Sequence, residues 1–214
     1  MKIARTIVLF LLLGIALLVV SVRLLTPWMD RYGSTDEEVR ASYAGDDLVP
    51  FPRSFVNHAV TIFQSPDQVF PWLLQLGADK GGLYSYTKIE RLLGCPLTNA
   101  DRIHPEWQNL AVGDLVKMCP HDPAPPPYIV AQIIPNRALV LGHKENGNWV
   151  DLWQFVLAPT KEGNTRLILR TRTMMVGGMW DVIHPGVFLM ERGLLLGVKE
   201  RAEKRISVDA SALP

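Results

Sequence analysis

The sequence lacks a basic run, and its charge is almost balanced: 22 Lys and Arg stand against 21 Asp and Glu, for a formal net charge of +1. A surface that tracks phosphates needs clustered cations, so no nucleic-acid partner is expected. Cysteine is scarce as well. Cys95 and Cys119 are the two in the chain, and no CxxC occurs, which excludes a zinc ribbon and a thioredoxin-type motif. The pair reads either as two small buried apolar side chains or as one disulfide formed in an oxidising compartment. None of the five histidines, His58, His104, His121, His143 and His184, lies four residues from another. The helical spacing of a zinc site is therefore missing, and no metal is expected. Cys119-Pro120-His121-Asp122 has suggestive residue types, but neighbours in a proline-rich loop rarely face one another. GxSxG, GxGxxG and the P-loop are all absent. That removes the commonest hydrolase, dinucleotide and nucleotide readings, and no cofactor is expected.

One long apolar run is present. Residues Thr6 to Val22 carry no charge and are bracketed by Arg5 and Arg23. With Ile3, Ala4, Leu24 and Leu25 included and the two arginines snorkelling outward, the run reaches the roughly 20 residues of a membrane helix. Trp28 falls where an interfacial aromatic would sit. The rival is a cleaved signal peptide, but Val19-Val20-Ser21 and Ser21-Val22-Arg23 match a small-x-small cleavage site poorly. Residues 1–25 are read as an uncleaved single-pass anchor. Lys2 and Arg5 precede it, and Arg23, Arg31 and Arg40 follow it among acidic residues. This modest bias puts the N-terminus in the cytoplasm and the domain outside.

Residues 26–55 read as a strap that packs on the domain. Ser34-Thr35-Asp36-Glu37-Glu38 is a helix start with Ser34 or Thr35 as cap, and Asp47–Pro52 is extended because residues before proline avoid helix. The domain itself spans 56–207, with a disordered tail expected over 208–214. A strand is predicted over Asn57–Phe63. Ser65-Pro66-Asp67 then opens a helix that Pro71 should kink or shorten and Gly77 should end. A second short helix covers Lys88–Leu93, with Thr87 and Glu90 at capping-box spacing. Period-two patterning predicts antiparallel strands over Leu115–Cys119, Tyr128–Ile134, Ala138–His143, Trp149–Ala158 and Thr165–Met174. A long helix starts at about Pro185, with Val187, Met190, Leu194, Val198 and Ala202 on its apolar side. Gly193 and Gly197 each disfavour that helix by roughly 1 kcal/mol, which calls for either a close approach or room for a ligand.

This order of elements is an α+β plan. Between helix and sheet lies an irregular stretch from Gly81 to Gln108. Its Gly81-Gly82-Leu83-Tyr84-Ser85-Tyr86, Asn99-Ala100-Asp101-Arg102-Ile103 and Pro105-Glu106-Trp107-Gln108 resemble a bacterial group within the START-like, or SRPBCC, superfamily. Val112-Gly113-Asp114, Arg137–Leu141, Thr165–Ile168 and the lead-in Gly33–Val39 extend the resemblance over roughly residues 31–205. It implies a helix-grip fold, with a curved antiparallel sheet wrapped around the long C-terminal helix and an apolar cavity between them. It transfers no catalytic residue, because one fold hosts many functions.

The candidate ligand-binding set is Tyr84, Tyr86, Asn99, Arg102 and Trp107. The aromatic residues would line a pocket mouth, or else pack the irregular stretch onto the sheet. Asn99, Asp101 and Arg102 would hold a polar head group, or else bond local backbone in turns. His104 and Asp101 are the candidates for proton transfer. Arg166, Arg170 and Arg172 share one strand face, which reads as solvated unless one of them meets an anion. Trp149, Trp153 and Phe155 read as one core or cavity-lining face. The function expected is a membrane-anchored binding or transfer module for an apolar small molecule or lipid. The alternative is a cyclase, dehydratase or hydrolase-like enzyme in which His104, Asp101 and Tyr84 act in the same cavity.

Overall fold

The computed structural model describes residues 2–121, 125–175 and 177–210. The first element, α1 (Lys2–Met29), is the apolar run, and it is exposed along nearly its whole length. It is long and apolar enough to cross a membrane, a test that a signal sequence also passes. The chain continues through α2 (Asp36–Arg40), β1 (Ser54–Ile62), α3 (Pro66–Leu74), α4 (Thr87–Leu92) and a 3-10 turn at Pro105–Trp107. It then forms β2 (Leu115–Val116), β3 (Tyr128–Ile134), β4 (Ala138–Glu145), β5 (Asn148–Pro159), β6 (Thr165–Thr173) and α5 (Gly178–Ala210).

The six strands form one curved antiparallel sheet in the order β1-β6-β5-β4-β3-β2. The predicted α+β helix-grip plan is thus the observed architecture. Side chains alternate across the sheet. Val60, Leu139, Leu141, Phe155, Leu157, Leu167 and Leu169 point to the concave face, where α3 and α5 cover them. Val140, Leu152, Ala59, Val156 and Ile168 point the other way, towards Val49 and Tyr43 of the lead-in.

The lead-in therefore covers the convex face, and three arginines fasten it there. Arg166 pairs with Glu38 at 2.6 Å. Arg170 donates to Asn57 Oδ1, Asp46 Oδ2 and the carbonyls of Glu38, Val39 and Ala41. Arg172 donates to the Val49 and Pro50 carbonyls. The solvated arginine face expected from the strand pattern is corrected here. The face is polar because each guanidinium meets the carbonyls and carboxylates of a segment more than a hundred residues away.

Local signals set many of the boundaries. Thr35 and Glu38 form a complete capping box for α2. Thr87 and Glu90 do not: the N-cap of α4 is Tyr86, and the Glu90 carboxylate is buried without a hydrogen-bond partner. Burial holds the Glu90 carboxyl above its ordinary value. Pro71 lies inside α3, which ends at Leu74, before Gly77. Pro185 does not start α5. The helix begins at Gly178, since a proline inside a helix removes one backbone bond and need not end it. At its other end α5 runs to Ala210, past the expected start of the tail, and 211–214 lie outside the described residues, as does Asp122.

One face assignment is also corrected. Trp149 packs with Val140 and Leu152 on the convex side, away from Trp153 and Phe155. The register explains it: His143 pairs with Asp151 while Lys144 pairs with Trp149, so β5 holds one extra residue and the alternation inverts.

Candidate functional site

The irregular stretch after α3 is built on backbone conformations that few residues adopt. Gly77 and Gly82 exchange two backbone hydrogen bonds. Tyr84 takes φ 55, in the left-handed region, and its N–H donates to Asn99 Oδ1 at 2.7 Å. Strain of this kind persists where the surroundings hold it in place. Here the side chain of Asn99 is that support, and a Cβ on Gly82 would fall onto it.

This stretch lies directly on α5. Ser85 Oγ donates to the Met190 carbonyl at 3.1 Å, and Arg192 donates to the Tyr86 hydroxyl at 2.9 Å. A Cβ on Gly193 would meet Ser85 Oγ at 2.7 Å and the Tyr86 ring at 2.8 Å. A Cβ on Gly197 would fall on the Tyr84 carbonyl oxygen. The two glycines are where the stretch and the helix touch.

The space between sheet and helix is occupied by the protein itself. Trp72, Tyr84, Trp153, Phe155, Leu194 and Val198 belong to one buried cluster there. Tyr84 turns its hydroxyl inward, out of solvent, and burial pushes its phenol well above the ordinary value. The open space is on the outer side. A cleft of about 500 Å³ runs between α5 and residues 84–99. Its helix wall is Gly193, Leu196, Gly197, Glu200 and Arg201, and its other wall includes Tyr86, Arg91 and Leu97–Asn99.

Its charged groups are two arginines and one glutamate, among neutral hydroxyl and amide side chains. Arg201 is anchored by the Ala100 and Gly197 carbonyls and lies 4.9 Å over the Tyr84 ring. Arg91 stands exposed at the rim. Glu200, the carboxylate on the wall, pairs with Lys204, which holds its carboxyl below the usual range. The arrangement suits an amphipathic molecule with an anionic or polar group.

Of the predicted residues, Tyr84, Tyr86 and Asn99 border this cleft. Arg102, Trp107, His104 and Asp101 do not. Trp107 stacks on His104 with centroids 4.1 Å apart, and His104 Nδ1 lies 3.1 Å from Glu106. The backbone of Arg102 and His104 is held by the Gln75 side chain instead, while Asp101 is exposed. Common action of His104, Asp101 and Tyr84 on a substrate needs three side chains around one space. Only Tyr84 borders the cleft, with its hydroxyl turned away. Arg91, Thr98, Leu196, Glu200 and Arg201 were not singled out from sequence. The signal available for Arg201 was its place one turn beyond Gly197, on the flank the glycines mark.

A disulfide between Cys95 and Cys119 braces the cleft wall, tying the chain just before Leu97 to the chain just after β2. It closes a loop with a sequence separation of 24. Loop-closure entropy then predicts that the Cys95→Ser/Cys119→Ser double variant loses about 3 kcal/mol of stability. Urea unfolding with and without reductant checks this: reductant should destabilise the native chain and leave the double variant unchanged.

A second polar group sits deeper and away from the cleft, where α1 meets the domain. Glu191 accepts from Trp153 Nε1 at 2.9 Å and Thr171 Oγ1 at 2.7 Å, and its other oxygen lies 3.0 Å from His58 Nδ1. His58 Nε2 lies 2.7 Å from the Met29 carbonyl, and His184 pairs with Asp30 at 2.8 Å. These contacts tie the end of α1 to β1 and α5.

No family model and no curated protein matches the chain. Several solved structures are similar to it. Protein MLL2253 from Mesorhizobium loti is 16% identical over 71% of this chain and 98% of its own, with a TM-score of 0.44. Aha1 from Colwellia psychrerythraea is 19% identical over 70% and 96%, with a TM-score of 0.43. CalC, a self-sacrificing resistance protein from Micromonospora echinospora, is 13% identical over 71% and 95%, with a TM-score of 0.44. None of them assigns a ligand to this chain.

Proposed function

We propose that this chain is a membrane-anchored binding module for a small amphipathic molecule, held in the open cleft between residues 84–99 and α5. The observation that carries the reading is the cleft itself: about 500 Å³, with Leu196 and Leu97 as apolar wall and Arg91 and Arg201 as cationic groups. That volume lies within the usual range for small-molecule sites, roughly 300–1,000 Å³. Apolar burial supplies most of the affinity and the guanidiniums orient the head group. Lipid transfer is the finer version of the same reading, since an anchor keeps the cleft close to membrane-dissolved ligand and raises its local concentration. The disulfide supports a domain outside the cytoplasm, where thiols oxidise and stay oxidised.

The test is titration of the full chain in nanodiscs with a fluorescent fatty acid, cis-parinaric acid. Thr98 is exposed on the cleft wall, so Thr98→Trp fills the space without disturbing the core. Saturable binding is expected for the native chain. Thr98→Trp and Arg91→Glu should each weaken it about tenfold or more, equivalent to about 1.4 kcal/mol, with melting temperature unchanged. Equal binding by Thr98→Trp would place the ligand elsewhere.

A further inference from the structure

The end of the domain from which α1 departs exposes several large apolar side chains beside the charged Arg31 and Arg53. Asn57 N donates to Asp30 O and Ala59 N to Tyr32 O, so residues 30–32 run parallel to β1. Traced backwards, the chain enters α1 towards the start of β1, at Ser54. Ser54 pairs with Thr173, so this is also the end where β6 finishes and α5 begins. Phe51, Met174, Met175, Val182 and Leu189 are all exposed around it. Val182, Gly186 and Leu189 form a stripe along one face of α5, at spacings of four and three residues. From Met174 to Met190 the sequence carries one acid, Asp181, and neither lysine nor arginine.

A bilayer is the occupant that position favours. The Trp28 ring, at the end of the apolar helix, packs on Phe188 with centroids 5.4 Å apart. Leu189 is the next residue, and Val182 lies about 10 Å further along the helix axis, from a rise of 1.5 Å per residue. The interfacial layer outside the hydrocarbon is itself about 5–8 Å thick on each side. If Trp28 marks that layer, the exposed stripe falls within or beside it.

We infer that the first turns of α5, with Met174, Met175 and Phe51, lie on the lipid surface, so that the domain rests on the membrane at this end and does not swing freely from its anchor. The inference rests on the anchor reading above, and its test separates the two. The full chain is reconstituted in phosphatidylcholine vesicles containing shallow or deep nitroxide lipids. Because the native cysteines are disulfide-bonded, a single new cysteine takes a bimane label. Val182→Cys and Leu189→Cys report the stripe. Lys161→Cys, in the β5–β6 hairpin, sits about 30 Å away at the other end of β6, at roughly 3.3 Å per residue. Leu13→Cys reports the span.

Shallow nitroxide should quench positions 182 and 189 about twofold and leave 161 unchanged, while deep nitroxide quenches position 13. Quenching at 13 with 182 and 189 no more affected than 161 keeps the anchor and overturns the surface contact. No quenching at 13 overturns the anchor, and the surface contact with it. Protection at 182 that grows with protein concentration and ignores lipid nitroxide assigns the patch to a second copy and also overturns the proposal. Val182→Glu/Leu189→Glu should lower quenching of a label at Met175→Cys about twofold, because charge on an interfacial apolar face opposes burial.

Discussion

Gly197→Ala should destabilise the domain by about 3 kcal/mol, in the direction opposite to helix propensity. In an exposed helix the same change stabilises by about 1 kcal/mol, since alanine loses less backbone entropy. The reversal comes from what the new methyl group meets. Its position coincides with the Tyr84 carbonyl oxygen, which is backbone and has no rotamer by which to move aside. The backbone around it is also held. Tyr84 N is bound to Asn99 Oδ1, and Ser85 Oγ to the Met190 carbonyl. Relief therefore requires the stretch to lift off α5, breaking the Ser85–Met190 bond and disturbing the cleft. Gly186→Ala is the control. It lies in the same helix, and a Cβ there meets nothing within 4 Å. Urea unfolding of the two variants in nanodiscs should give shifts of opposite sign. Equal behaviour would show that the stretch and α5 are not in tight contact.

Arg170→Ala is expected to cost about 4 kcal/mol, the range for breaking a buried charge network on one side. Arg170 is 1% exposed, the largest of the fully buried side chains among the described residues. Its five hydrogen bonds reach Asn57, Asp46 and three carbonyls of the lead-in at 2.8 to 3.3 Å. Its guanidinium also lies over the Tyr43 and Phe55 rings at 4.3 and 4.8 Å. Truncation leaves the Asp46 carboxylate with the more distant Arg172, at 3.3 Å, as its cationic partner beside the neutral donors Gln154 Nε2 and Tyr43 N, and strands the carbonyls that Arg170 served. Arg170→Lys should recover little, because one ammonium cannot reproduce a planar fork reaching several acceptors. Limited proteolysis distinguishes the mechanism from general unfolding: cleavage should appear first within residues 36–50. A variant within about 1 kcal/mol of the native chain would mean that water replaces the guanidinium, contrary to the cost of stranding buried acceptors.

The parts legible in the sequence were those decided within a few residues. Tyr128–Ile134 was placed to the residue, and the other strands to within a few residues, because period-two alternation records a sheet with one face turned to the core. Thr35 with Glu38 was readable as a cap because both partners of a capping box are local. Thr87 with Glu90 has the same spacing and failed, since Glu90 was drawn into the interior and its carboxylate left the backbone it was expected to bond. Tyr84, Tyr86 and Asn99, which border the cleft, were readable as candidates because a stretch of that composition fits no regular element. Arg201 and Glu200 were missed because helical periodicity places charged residues on the solvent side, and an open cleft wall is a solvent side.

The sequence by itself determined the α+β order, the apolar N-terminal helix, the α2 cap and the presence of both an unusual loop and a glycine-thinned helix. Each of these follows from spacing, and spacing is a property of neighbours along the chain. Only the tertiary structure decided that the arginine face is covered, that Trp149 turns away from Trp153, and that the core under α5 is filled while the cleft opens outside it. Those outcomes depend on which distant segments meet: Asp46 with Arg170, the extra residue of β5 against His143 and Lys144, and Tyr84 with Gly197. Desolvation, bulged register and backbone contact are energies of such meetings, and no local pattern encodes them.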